Sequence, residues 1–257
     1  MYSGISGIKN FQTKLDVIGN NISNVNTYGF KKGRTIFKDL VSQTTAGATG
    51  ATDTRGGINP KQVGLGSQLA AVDTLHTSGS LQSTGNTLDL AISGDGFFQV
   101  AENGSTDIFY TRAGNFYLDT DGNIVNSEGL FLVGTTPIPT DAKSMSIGAD
   151  GTVTYVAADG SLGNAGQIEI AKFSNPGGLT KAGANYYQQS PASGDPLAGA
   201  PLLEGRGSVQ SGFLEMSNVD LSEEFTEMIV AQRGFQANTR IITTSDQILE
   251  ELVNLKR

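Results

Sequence analysis

The chain has one histidine, His76, and no cysteine. Thiolate nucleophiles, disulfides and cysteine metal sites are therefore excluded, and a histidine dyad or a multi-imidazole zinc site lacks the partners it needs. Serines and aspartates are plentiful, but no Gly-x-Ser-x-Gly elbow with strand and helix flanks accompanies them. Asp119-Thr120-Asp121-Gly122-Asn123 has the look of a calcium loop. That loop needs glycine at its sixth position and a bidentate glutamate at its twelfth, where this sequence has Gly122 at the fourth and Leu130 at the twelfth. A hairpin turn is the expected role. Gly64-Leu65-Gly66 and Gly94-Asp95-Gly96 lack the third glycine of a phosphate cradle and read as turns. The carboxylates are scattered through turn sequences; a paired-carboxylate glycosidase stays open, with nothing in the spacing to favour it. No cofactor, metal or catalytic residue is expected.

Composition narrows the fold class. Gly accounts for 34 of 257 residues, about twice the usual ~7 %, and charged residues make up 16 %, against roughly 25 % in an average domain. This is the texture of turn-rich β structure. The net charge of −8 argues against a nucleic-acid partner, because phosphate neutralisation needs clustered lysine and arginine. Residues 1–39 carry six basic and two acidic groups, whereas residues 220–257 carry four and seven, so the two ends have opposite sign. No apolar run approaches the ~20 residues of a membrane-spanning helix, and residues 1–12 lack the basic start and apolar stretch of a cleaved secretory signal. No membrane insertion is expected, and any export would use a route that does not read such a signal.

The elements follow from periodicity. Ile8, Phe11, Leu15, Ile18, Ile22 and Val25 are spaced three and four apart, the stripe of a helix expected to stop near Gly29. Asp220-Leu221-Ser222-Glu223 reads as a helix cap, and Glu224 and Glu227 place negative charge in the first turns, where the helix dipole favours it. Leu221, Phe225, Met228 and Phe235, then Ile241, Ile248, Leu252 and Leu255, mark a second stripe along one helix of about 35 residues, closed by Lys256 and Arg257. Between the helices, short apolar runs alternate with Asp-Gly turns at residues 121–122, 150–151 and 159–160. The expected fold is therefore α+β and multi-domain. A discontinuous helical, coiled-coil domain comes from residues 1–43 and 217–257, an extended Gly/Ala/Thr-rich connector covers 44–70, and an all-β domain covers 71–216. The two stripes are expected to be buried between copies of the chain, with both ends largely disordered in a lone molecule, since helices owe most of their stability to packing of an apolar face.

Three separated motifs carry a resemblance. Asn20-Asn21-Ile22-Ser23-Asn24-Val25-Asn26-Thr27-Tyr28-Gly29-Phe30-Lys31 looks like the N-terminal signature of bacterial flagellar rod and hook proteins. Ser217-Asn218-Val219-Asp220, continuing through Gln232-Arg233 to Asn238, resembles their C-terminal signature, and Leu88–Ile92, Gly96-Phe97-Phe98 and Tyr110-Thr111-Arg112 recur in the same order between the two. The pattern usually has a few residues before the position of Tyr2. The resemblance implies a structural subunit, not an enzyme, exported through the flagellar type III apparatus without signal cleavage. It further implies polymerisation into a helical tube outside the cytoplasmic membrane, with the terminal helices as inner wall and the β domain as outer wall. Partners would be other copies and the adjoining rod, hook-cap and hook-filament junction proteins. Asp246-Gln247-Ile248-Leu249 with Leu252–Leu255 is similar to hook proteins, which makes a compact hook the first expectation, whereas the short length is similar to the distal rod. The competing class is a secreted β-rich hydrolase of cell-wall glycan.

Overall fold

The computed structural model describes residues 2–50, 55–102, 105 and 107–255. Lys256 and Arg257, expected to close the second helix, lie outside the described residues, as does the 51–54 part of the expected connector. The chain forms two compact units. One comprises residues 1–23, 33–74 and 220–257, and the other residues 24–32 and 75–219.

The first unit holds the two helices, α1 (Tyr2–Ser23) and α2 (Leu221–Asn254). Asp220 caps α2 as its sequence suggests, its carboxylate accepting from Ser222 N at 2.8 Å and Glu223 N at 3.3 Å. α1 ends six residues before Gly29. The reason is local: Thr27 N donates to Asn24 O at 3.1 Å and the Thr27 hydroxyl to Asn24 Oδ1 at 3.2 Å, so the asparagine offers a turn that competes with the next helical bond. Val25 consequently falls in that turn and not on the helical stripe.

Much of the described part of 44–70, expected as an extended connector, is paired. Strands β1 (Gly33–Asp39) and β2 (Ser42–Ala46) run out, and β3 (Lys61–Gly64) and β4 (Ser67–Thr74) return, with β1 against β4 and β2 against β3. A bridge from Thr49 to Ile58 continues the antiparallel ribbon. Among the described residues the ribbon is two strands wide, with no third strand beside it, and Val41, Val63 and Val72 stay exposed. α1 lies against its base: Asn21 Oδ1 accepts from Gly33 N and Asn21 Nδ2 donates to Gly33 O, both at 2.9 Å, and Asn10 Nδ2 donates to Ser67 Oγ at 2.8 Å.

The second unit is β-rich. Its first strands are β5 (Leu81–Ser83), β6 (Leu90–Ser93), β7 (Phe97–Ala101) and β8 (Ile108–Thr111). β7 is buried along its whole length, because successive side chains enter opposite cores. Phe98 and Val100 join Leu90, Ile92, Phe116, Ile168 and Ile170, while Phe97 joins Tyr110, Phe173 and Tyr187. Aromatic pairs meet edge to face in both, as Phe98–Phe116 and Tyr110–Phe173 do. The turn signals behave as read. Gly122, at φ +80°, turns the hairpin in which Leu118 pairs with Ile124, so the Asp119–Asn123 string is a turn. Gly151 and Gly160 turn the meander of Ser144–Ile147, Thr152–Val156 and Leu162–Gln167.

Candidate functional site

Inside the first unit the helices run antiparallel, and small residues set their approach. A side-chain carbon added at Gly4 would lie 3.8 Å from Ile242 Cγ1, one at Gly7 2.9 Å from Asn238 Oδ1, and one at Gly234 2.5 Å from the ring of Phe11. Gly234 is thus the socket for Phe11 and not a helix break. Lys14 Nζ meets Glu227 Oε2 at 2.6 Å, and Asn21 Nδ2 donates to buried Glu224 Oε2 at 3.1 Å.

The seam of α2 therefore runs through Glu224, Met228, Ala231, Phe235, Asn238, Ile242 and Ser245, again in steps of three and four but rotated from the apolar stripe. Of the stripe residues on α2, Met228 and Phe235 turn inward and are half-buried. Leu221, Phe225, Ile241, Ile248, Leu252 and Leu255 remain outside, with Phe225 50 %, Ile248 54 % and Leu255 81 % exposed. Ile229, Val230, Leu249 and Val253 extend that outer face. On α1, Ile18 is buried, and Ile8, Phe11, Leu15 and Ile22 are half-buried. The physical reason for the rotation is that glycine and alanine let the two backbones approach closely, which leaves the large apolar side chains on the far side.

The N-terminal motif has a different task from the stripe. Residues 24–32 belong to the β unit, where three stretches of chain are tied together. Gly29 N donates to Glu215 O at 2.8 Å, and Gly29 takes φ +70° with its α-carbon so close to the neighbouring backbone that an added carbon would stand 2.5 Å from Ala113 N. Only glycine fits there. Lys32 N donates to Asn218 Oδ1 at 2.7 Å, Asn218 Nδ2 donates to Leu75 O at 2.8 Å and Thr77 Oγ1 at 2.9 Å, and Leu75 N returns to Lys32 O at 2.9 Å. Phe30 is buried, with Lys181 Nζ 5.6 Å above its ring. Ser217 is buried and its hydroxyl accepts from Val219 N at 3.3 Å. Of the remaining motif positions, Asn20, Gln232 and Arg233 lie on exposed helix surface, and Arg233 reaches Gln236 Oε1 at 3.5 Å.

At the centre of this tie is a buried ion triad that sequence reasoning missed as a unit. Lys31 Nζ donates to Glu215 Oε1 at 2.5 Å and to Thr77 O at 2.9 Å. Arg112 donates to Glu215 Oε2 at 3.2 Å and to Gly94 O at 2.7 Å. Gly79 N completes the shell of Glu215 at 2.9 Å. The side chains of Lys31 and Glu215 are fully buried and that of Arg112 is 3 % exposed. Burial pulls the Lys31 ammonium below its ordinary pKa, against the opposing field of Glu215. The same burial, with the field of Lys31, Arg112 and Lys181, holds His76 down to about 4. A sequence signal existed: a single charge inside each of Gly29-Phe30-Lys31, Tyr110-Thr111-Arg112 and Phe213-Leu214-Glu215.

This arrangement ties three stretches of one chain to each other. Among the described residues no group of three metal-ligating side chains occurs, and no helix is long and apolar enough to cross a membrane.

Known proteins match the chain from end to end. Residues 1–31 match the model described as flagella basal body rod protein, residues 91–155 the flagellar hook protein FlgE/F/G D1 domain, and residues 210–255 the flagellar basal body rod FlgEFG protein C-terminal. The flagellar basal-body rod protein FlgG of Bacillus subtilis is 60 % identical over 262 positions, covering all of this chain and 98 % of that protein. FlgG of Agrobacterium fabrum is 42 % identical over 95 % of this chain and 94 % of its own length. The flagellar hook protein FlgE of Borreliella burgdorferi is 30 % identical over 439 positions, covering all of this chain and 99 % of that protein. Two helices around a β-rich middle, the tied signature segments and these relatives agree: the chain belongs to the flagellar rod and hook protein family, whose members are structural components of the flagellum and not enzymes.

Proposed function

We propose that this chain is a distal-rod subunit of the flagellar basal body, which polymerises with its own copies into a helical tube. The observation that carries the choice of rod is the alignment of its full length, at 60 % identity and over 262 positions, with a protein named for the rod; the hook relative needs 439 positions to span the same 257 residues. The hook reading is favoured by that relative's 30 % identity across the entire chain, and by Ile248-Leu249 and Leu252–Leu255 near the end of α2.

Polymerisation is supported by the outer face of α2. Six stripe residues remain partly in water along a helix whose inner face is already used, and covering the area they still expose gains on the order of 1 kcal/mol each. In this reading Leu221, Phe225, Ile241, Ile248, Leu252 and Leu255 meet neighbouring copies, the helical unit forms the inner wall and the β unit the outer. The chain travels unfolded through the flagellar type III apparatus, a route that suits a sequence without cysteine, and works outside the cytoplasmic membrane beside other rod, hook-cap and hook-filament junction proteins.

Immunogold labelling of isolated hook–basal bodies tests the choice. Gold over the rod below the hook is expected. Gold along the curved hook would overturn the rod assignment in favour of the hook.

A further inference from the structure

A half-open cavity of about 220 Å³ in the β unit is lined by His76, Gly96, Phe97, Arg112, Lys172 and Ser174, with Asp95 at its rim. Two nitrogens of this lining, His76 Nδ1 and Arg112 Nε, are buried without a hydrogen-bond partner. Buried polar atoms are almost always partnered, and an arginine only 3 % exposed with an idle N–H asks for an acceptor. The local charge is mostly positive. Lys31, Arg112 and Lys181 all act on His76, and Lys172 Nζ stands in the wall, bonded to Gly205 O at 3.0 Å and 3.6 Å from Asp95 Oδ2. The nearest buried anion, Glu215, is committed, its two oxygens taken by Lys31, Gly79 and Arg112. Asp95 points largely to solvent, its side chain 75 % exposed. Tyr187, which packs on the His76 ring, supplies no charge, because burial pushes its phenol up to about 12.

We propose that this cavity is a carboxylate-binding site. A carboxylate is acceptor-only with two oxygens, so it can take the Arg112 Nε–H on one and the Nδ1–H of His76 on the other, while Phe97 walls the site and Lys172 adds attraction at the mouth. The volume admits a small acid or the side chain of one acidic residue. Assembly into a rod is not assumed, and the site can fail or hold independently of that reading.

His76 is the only histidine, so its ring resonances report on the cavity without overlap. The full-length protein is titrated by NMR with sodium acetate, with N-acetyl-aspartate N′-methylamide, and with sodium chloride at equal ionic strength. A saturable shift of the His76 signals in the millimolar range, with the His76 pKa raised by about one unit or more, is expected for a carboxylate and not for chloride. Response to acetate alone identifies a free small acid as the ligand, and response to the aspartate compound identifies an acidic side chain. Lys172→Met, outside the ion triad, is expected to weaken the titration several-fold. Silent resonances with both acids, an equal response to chloride, or a titration unchanged in Lys172→Met would each overturn the assignment.

Discussion

Lys31 and Glu215 stand 184 residues apart in sequence, and their side chains meet at 2.5 Å, both withdrawn from water. Neither charge is stable there alone, so the segment that follows α1 and the strand that precedes α2 must be in place together for the β unit to be complete.

The triad is asymmetric, which fixes an order of mutational costs. Glu215→Leu leaves both Lys31 and Arg112 buried without their anion and is expected to cost at least about 3–5 kcal/mol. Lys31→Met leaves Glu215 still held by Arg112 and Gly79 N, and should cost less. Urea unfolding followed by tyrosine fluorescence ranks the two, and a costlier Lys31→Met would contradict the account of Glu215 as the hub.

Gly29 and Gly160 share left-handed backbone, at φ +70° and +84°, but Gly160 faces open space. Gly160→Ala is expected to show only the conformational term, on the order of 1 kcal/mol. Gly29→Ala adds overlap with the backbone at Ala113 and should cost several-fold more. Equal urea midpoints for the two variants would show that the close approach at Gly29 is not a constraint.

Acid should weaken the β unit through His76. Its folded pKa of about 4 lies below the unfolded value near 6.5, so between these values the unfolded chain binds the extra proton and stability falls as pH drops. The loss is at most about 3 kcal/mol, and above pH ~6.5 this contribution is flat. His76→Phe should remove most of the slope between pH 6.5 and 4 in urea midpoints. An unchanged slope would assign it to other groups.

How far the sequence reaches depends on whether a signal is local. The cap at Asp220, the glycine turns at 122, 151 and 160, and the buried run of β7 are written in adjacent residues, and the structure repeats them. The end of α1 was legible in kind but not in place, because the Asn24–Thr27 turn outbids Gly29. The ribbon of residues 33–74 was hidden. Ser67–Thr74 alternates too weakly to announce a strand, and it becomes one only by pairing with Gly33–Asp39, a segment distant in sequence. On α2 the apolar period was visible, but which face meets α1 was decided by Gly7, Gly234 and Ala231, residues that a search for large apolar groups passes over. The triad needs three distant charges to converge, and nothing in their spacing says so.

Protection should follow burial. Amides of β7 are expected to exchange through global opening, whereas those of residues 246–254, where every described side chain is exposed, should exchange orders of magnitude faster in dilute protein. Hydrogen exchange read by mass spectrometry checks this. Comparable protection in both segments would mean that α2 is stabilised within a single molecule beyond what its contacts provide.

The central claim is that the outer face of α2 is covered by other copies of the chain. Sedimentation velocity and electron microscopy of the full-length protein against the double variant Phe225→Asp, Ile248→Asp test it directly, since each aspartate would place a charge in a dry contact while leaving the seam with α1 untouched. Wild type should form tubular polymers above a threshold concentration, and the variant should remain monomeric with the same β-unit unfolding midpoint. Polymers of the variant at the wild-type threshold would contradict the account.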